Sequence, residues 1–141
     1  MNTILTYLKN NAQQLGLEKF GDPARMSSTV LTPRFRASSH VIVFVRFGDS
    51  TAPALVAKVP RLPGDHSRLQ KEAAMLDAAH SWRDGGFDSI PRVVAFEDYG
   101  GHRLLIETAL VGRAMSPAFV RGNLDSSIEA GMNWLLDFHS A

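Results

Sequence analysis

Two apolar runs lie close together: HVIVFVRF over 40–47 and ALVAKV over 54–59, joined by GDSTAP. The first is β-branched and aromatic almost throughout, which suits a strand. The joining segment carries a glycine, an aspartate and a proline, so it turns, and the two runs are expected to form a hairpin. That pair fixes a sheet as the nucleus of the fold.

The remaining segments arrange themselves around it. MNTILTYLKNNAQQLG reads as a short amphipathic helix with Leu5, Leu8, Ala12 and Leu15 on one side, closed by Gly16. STVLT is a strand limited by Pro33. PRLPGD breaks the chain, and a helix follows from about Ser67, with Ser67 and Gln70 as a capping box and Gly85-Gly86 beyond its end. RVVAFED and RLLIETAL are two more strands around Tyr99-Gly100-Gly101-His102, again a hairpin. GRAMSP reads as a linker. A last helix starts at Asn123 or Asp125 with Leu124, Ile128, Met132, Leu135 and Leu136 as its stripe. The order is helix, three strands, helix, two strands, helix. Hairpin-joined strands with one intervening helix predict an α+β fold with a mainly antiparallel five-stranded sheet.

Within this frame two charges sit where charges are costly. Lys58 stands inside the apolar run from Ala54 to Val59. In the helix after Ser67 the apolar positions are Leu69, Ala73, Leu76 and Ala79, which puts Glu72 on the shoulder of the buried stripe. Lysine and glutamate side chains can each snorkel to water. Their coincidence on adjacent elements predicts instead that they meet as an ion pair.

Composition narrows the rest. The chain has 141 residues, 45% hydrophobic and 21% charged, as in an ordinary single domain. A net charge of +1 gives no bulk attraction for nucleic acid or an anionic membrane, and neither is expected as a partner. There are no cysteines, so disulfides, thiol chemistry and cysteine-ligated metals are excluded. No apolar run approaches the ~20 residues of a membrane span, and the N-terminus lacks the basic and apolar regions of a signal peptide. A cytoplasmic location is expected. Phosphate-cradling G-x-x-x-x-G-K-[ST] and G-x-G-x-x-G turns are absent. The histidines at 40, 66, 80, 102 and 139 have no metal-ligand spacing, and His80 on the helix stripe is expected to pack. Trp82, Phe87 and Trp134 are expected in the core or at a lobe contact.

With ALVAKVP as a lysine strand, LQKEAAML as a glutamate helix, HRLLIETALVGRAM as a strand leading out of the sheet and WLLDFHSA as a later helix, the chain resembles a known pattern. It is similar to the N-terminal lobe of the kinase fold in the aminoglycoside phosphotransferase and choline kinase-like branch, from about Thr29 to Ala141. The resemblance implies a nucleotide-binding lobe over 1–112, then a linker and the first helix of a second lobe over 113–141. It implies ATP or GTP with Mg²⁺ as cofactor and a small-molecule hydroxyl as acceptor. Lys58 would contact the α- and β-phosphates, and Glu72 would orient it. Ile106 would line the back of the adenine pocket, while the Glu107 carbonyl and the Ala109 amide would hydrogen-bond the adenine edge. The Glu107 side chain need not matter for that role.

The sequence departs from the family in two places. The loop TPRFRASSH has no glycine, so Ser38, Ser39 and the backbone around them would have to bind phosphate in its place. The family's catalytic aspartate and its metal-binding asparagine and aspartate belong to the second lobe, beyond Ala141, so this stretch alone is not expected to catalyse transfer. Two other readings stay open: a non-catalytic, pseudokinase-like binding or regulatory module, and an unrelated α+β interaction domain in which Lys58 and Glu72 are a structural pair. An exposed surface between lobes would also favour a homodimer.

Overall fold

The computed structural model describes residues 3–31, 40–62, 64, 66–112 and 115–140. The chain is α+β, with a five-stranded antiparallel sheet and, among the described residues, four α-helices. The strands are β1 (Met26–Leu31), β2 (His40–Phe47), β3 (Leu55–Pro60), β4 (Val93–Tyr99) and β5 (His102–Thr108), in the order β1-β2-β3-β5-β4. Helix α2 (Ser67–Ser81) carries the chain from β3 to the far edge, where β4 begins. β5 then returns into the place beside β3. The return is a two-residue turn with Gly100 and Gly101 at φ of 60° and 81°, a conformation that asks for glycine at both positions.

Strand register sorts the side chains onto two faces. On one, Val43, Val45, Phe47, Leu55, Ala57, Ala95, Leu104 and Ile106 form the main core. It is covered by helix α1 (Thr3–Asn10) through Ile4, Tyr7 and Leu8, and by Leu17. Tyr7 donates its hydroxyl to Glu97 at 2.7 Å, which ties α1 to β4. On the other face, Leu69 and Ala73 of α2 pack on Leu105, flanked by Val93 and Phe96.

The first helix is shorter than its periodicity predicts. Beyond Asn10 the Ala12 and Gly16 amides donate to the Lys9 and Gln13 carbonyls, three residues back, and the Leu17 amide to Ala12, so the regular α-helix ends at Asn10 instead of continuing to Gly16. The buried side is accordingly Ile4, Tyr7 and Leu8, with Leu5, Ala12 and Leu15 at its margin. The expected capping box of α2 does not form: His66 is the N-cap and makes no side-chain cap bond, which leaves Ser67 as the first helical residue.

After β5 the chain enters α3 (Pro117–Gly122), which the sequence reading passed over as the end of a linker. Ser116 accepts from the Phe119 amide at 3.2 Å and Pro117 opens the first turn, a cap readable in retrospect. Helix α4 (Leu124–His139) has no buried residue and meets the sheet domain near its C-terminal end. There Phe138 meets Trp82, Phe87 and Trp134 at ring separations of 5.2, 5.0 and 5.3 Å. Of the three residues expected in the core or at a lobe contact, Phe87 is buried while Trp82 and Trp134 are exposed. Arg83 pairs with Asp137, and the Trp134 indole donates to Ser89. The stripe of Leu124, Ile128, Met132, Leu135 and Leu136 faces outward. Among the described residues, no helix is long and apolar enough to cross a membrane.

Candidate functional site

Along β3 the side chains alternate, so Leu55 and Ala57 enter the main core while Val56 and Lys58 point to the α2 side. The pairing of β3 with β5 sets Lys58 opposite Leu105 and Val56 opposite Glu107, on that same side. Leu69 and Ala73 hold α2 down on Leu105, and Glu72, next to Ala73, is turned inward toward the sheet. The result is one ammonium between two carboxylates. Lys58 Nζ lies 2.5 Å from Glu72 Oε1 and 2.7 Å from Glu107 Oε1. The side chains are 18% exposed for Lys58, 38% for Glu72 and 5% for Glu107.

The three groups do not balance. Among the described residues Glu107 Oε2 is buried with no hydrogen-bond partner, although its sister oxygen is bonded to Lys58. Burial pushes the Glu107 carboxyl above the usual carboxylate range; the Lys58 hydrogen bond and charge pull it back only in part, and the nearby Glu72 charge adds to the rise. For Lys58, burial alone would lower the ammonium. Its hydrogen bonds to Glu107 and Glu72 outweigh that and hold it above the usual lysine value. Lys58 therefore stays charged, and strain in the cluster falls on Glu107.

Beside the cluster the sheet offers a half-covered apolar surface. Ile42 stands opposite Lys58 and Phe44 opposite Val56 in the β2–β3 register, and all three apolar side chains are half-buried. A flat apolar wall next to a fixed cation can take an anion that carries an apolar or aromatic body.

Compared with protein-family models, curated proteins and solved structures, the chain matches none. The geometry therefore has to carry the reading of this site.

The structure brings together Lys58 and Glu72, as the sequence predicts. Two other expected ligand groups are placed differently. Ile106 is opposite Ala57 and fully buried in the α1-side core, so it does not line a pocket on the Lys58 face. Strand alternation is the reason: Leu105 and Glu107 are the β5 residues that face the lysine. The Ala109 amide donates to the Ala54 carbonyl at 2.8 Å, so it is already engaged within the fold. The Glu107 carbonyl belongs to a residue paired in register with Val56 on one side and Val93 on the other. Ser38 and Ser39 lie outside the described residues.

Sequence reasoning missed the Glu107 side chain, which it set aside in favour of the backbone. The signal was the one that exposed Lys58, a charge at the end of an apolar strand. His80 behaves as expected for a packed histidine. Its Nδ1 accepts from the Phe87 amide at 3.1 Å, which leaves Nε2 as the donor to the Pro91 carbonyl at 3.0 Å. Among the described residues no group of three histidine, aspartate or glutamate side chains could hold a metal ion.

Proposed function

We propose that the Lys58 face is the nucleotide-binding half of a small-molecule phosphotransferase of the aminoglycoside phosphotransferase and choline kinase-like kind. The observation that carries this reading is the Lys58–Glu72 pair, a strand lysine fixed by a helix glutamate at 2.5 Å beside an apolar sheet surface. Lys58 would grip phosphate oxygens, Glu72 would keep the ammonium aimed, and Ile42, Phe44 and Val56 would bear on the base or ribose. The nucleotide is ATP or GTP, and its γ-phosphoryl passes to the hydroxyl of a small molecule. Mg²⁺ neutralises phosphate charge in such a reaction; in this reading its ligands and the acceptor site come from a second lobe. The outward stripe of α4, from Leu124 to Leu136, suits a helix that packs into that lobe, and the same stripe would support a homodimer in its absence.

A non-catalytic binding or regulatory module is the second reading. Two observations favour it: the Ala109 amide is already bonded to Ala54, and Glu107 competes for the lysine. Reading the coding sequence beyond Ala141 separates the two. A phosphotransferase requires an H-x-D-x-x-x-x-N-like stretch followed by a further aspartate. A coding sequence that lacks these residues would leave a lobe that binds without transferring.

A further inference from the structure

Lysine has three N–H donors. In this site one goes to Glu72 and one to Glu107, so a single donor is left. Gripping two phosphate oxygens takes two donors, one more than is left while both carboxylates are kept. The bond that must yield is the one to Glu107, because Glu72 lies on the more exposed helix side and is what aims the ammonium. Once released, Glu107 would have both oxygens buried without a partner, since Oε2 already has none and the residue is 4% exposed. A bare carboxylate in such a place takes up a proton.

We propose that Glu107 is a proton-coupled gate on Lys58, holding the ammonium when no phosphate is bound and accepting a proton from solvent when phosphate oxygens claim it. The inference rests on the nucleotide reading above and adds to it a positioning residue and a pH dependence. Charge count leads the same way. Lys58 with two ionised carboxylates is a net negative site, which repels phosphate, and one proton on Glu107 brings it to neutral. Among the described residues, the charged groups acting on Glu107 are Lys58 from β3 and Glu72 from α2, while β4 presents Val93. Burial already favours the protonated form.

The test is calorimetric titration with Mg·ATP and Mg·GTP of the protein expressed from its whole coding sequence, in two buffers of different ionisation enthalpy. The wild type should take up about one proton per bound nucleotide near pH 7.5. Its affinity should weaken by about tenfold per pH unit at alkaline pH. Glu107→Gln should bind more tightly, with no proton uptake and a flat pH profile, and Glu107→Leu serves if the amide disturbs folding. Neither result follows from a merely structural role for Glu107. Binding by the wild type without proton uptake, or uptake retained in both variants, overturns the gate and leaves nucleotide binding standing. No binding by any of the three proteins overturns the nucleotide reading, and the gate with it.

Discussion

Lys58→Met should lower stability by about 3 kcal/mol at pH 7.5, because it strips the counter-charge from a buried carboxylate. Glu107 is the group at risk, being 5% exposed at its side chain with one oxygen already unpartnered. The pH dependence has a definite sign. Glu107 titrates higher in the folded chain than in the unfolded one, so the folded state holds its proton longer and stability falls as pH rises through that window. Removing Lys58 widens the window, so the deficit against wild type should shrink as pH drops toward the ordinary carboxylate range. For the wild type, the raised Lys58 value means its contribution is complete below the usual lysine range and is lost as pH rises through the folded value. Urea unfolding at several pH values measures both trends. The double variant Lys58→Met/Glu107→Leu should recover most of the loss while still lacking the nucleotide binding proposed for this face. A single variant as stable as wild type at alkaline pH would show that Glu107 is not held by Lys58.

Leu69→Ala should cost about 3 kcal/mol, as expected for emptying a fully buried leucine site. Its consequence reaches further than the cavity. Helix α2 is seated by Leu69 and Ala73 on Leu105, while Met75 is turned outward and Leu76 and Ala79 are only half-buried. With the leucine truncated, the helix that carries Glu72 loses its principal anchor. Amide hydrogen exchange should accelerate along 67–81 more than in β2 or β3, and on the proposed nucleotide reading affinity should fall too, through Glu72 losing its aim. Uniform acceleration across the sheet would mean that α2 is held by something other than this contact.

Much of the architecture was legible because β2, β3, β4 and β5 are apolar runs bounded by glycine and proline, and strand period leaves little choice about their faces. The Lys58–Glu72 pair was legible for the same reason: a charge inside an apolar pattern is costly enough to demand a partner. What failed depended on register between strands distant in sequence. Whether Ile106 or Glu107 faces the lysine turns on a one-residue shift in the pairing of β3 with β5, and sequence periodicity does not fix that pairing. The commitment of the Ala109 amide to Ala54 is likewise a contact across 55 positions of chain, invisible locally. At α1 the local pattern was readable but contested. The Ala12 and Gly16 amides reach back only three residues, to the Lys9 and Gln13 carbonyls, so the regular helix ends before the periodicity does.

The most direct measurement is calorimetric titration of Mg·ATP and Mg·GTP into the protein expressed from its whole coding sequence, with Lys58→Met/Glu107→Leu as a folded control. If Lys58 grips phosphate, the wild type binds at least one of the two nucleotides and the control loses that binding. Equal binding by both proteins, or none by the wild type, would contradict a phosphate-binding role for the Lys58 face.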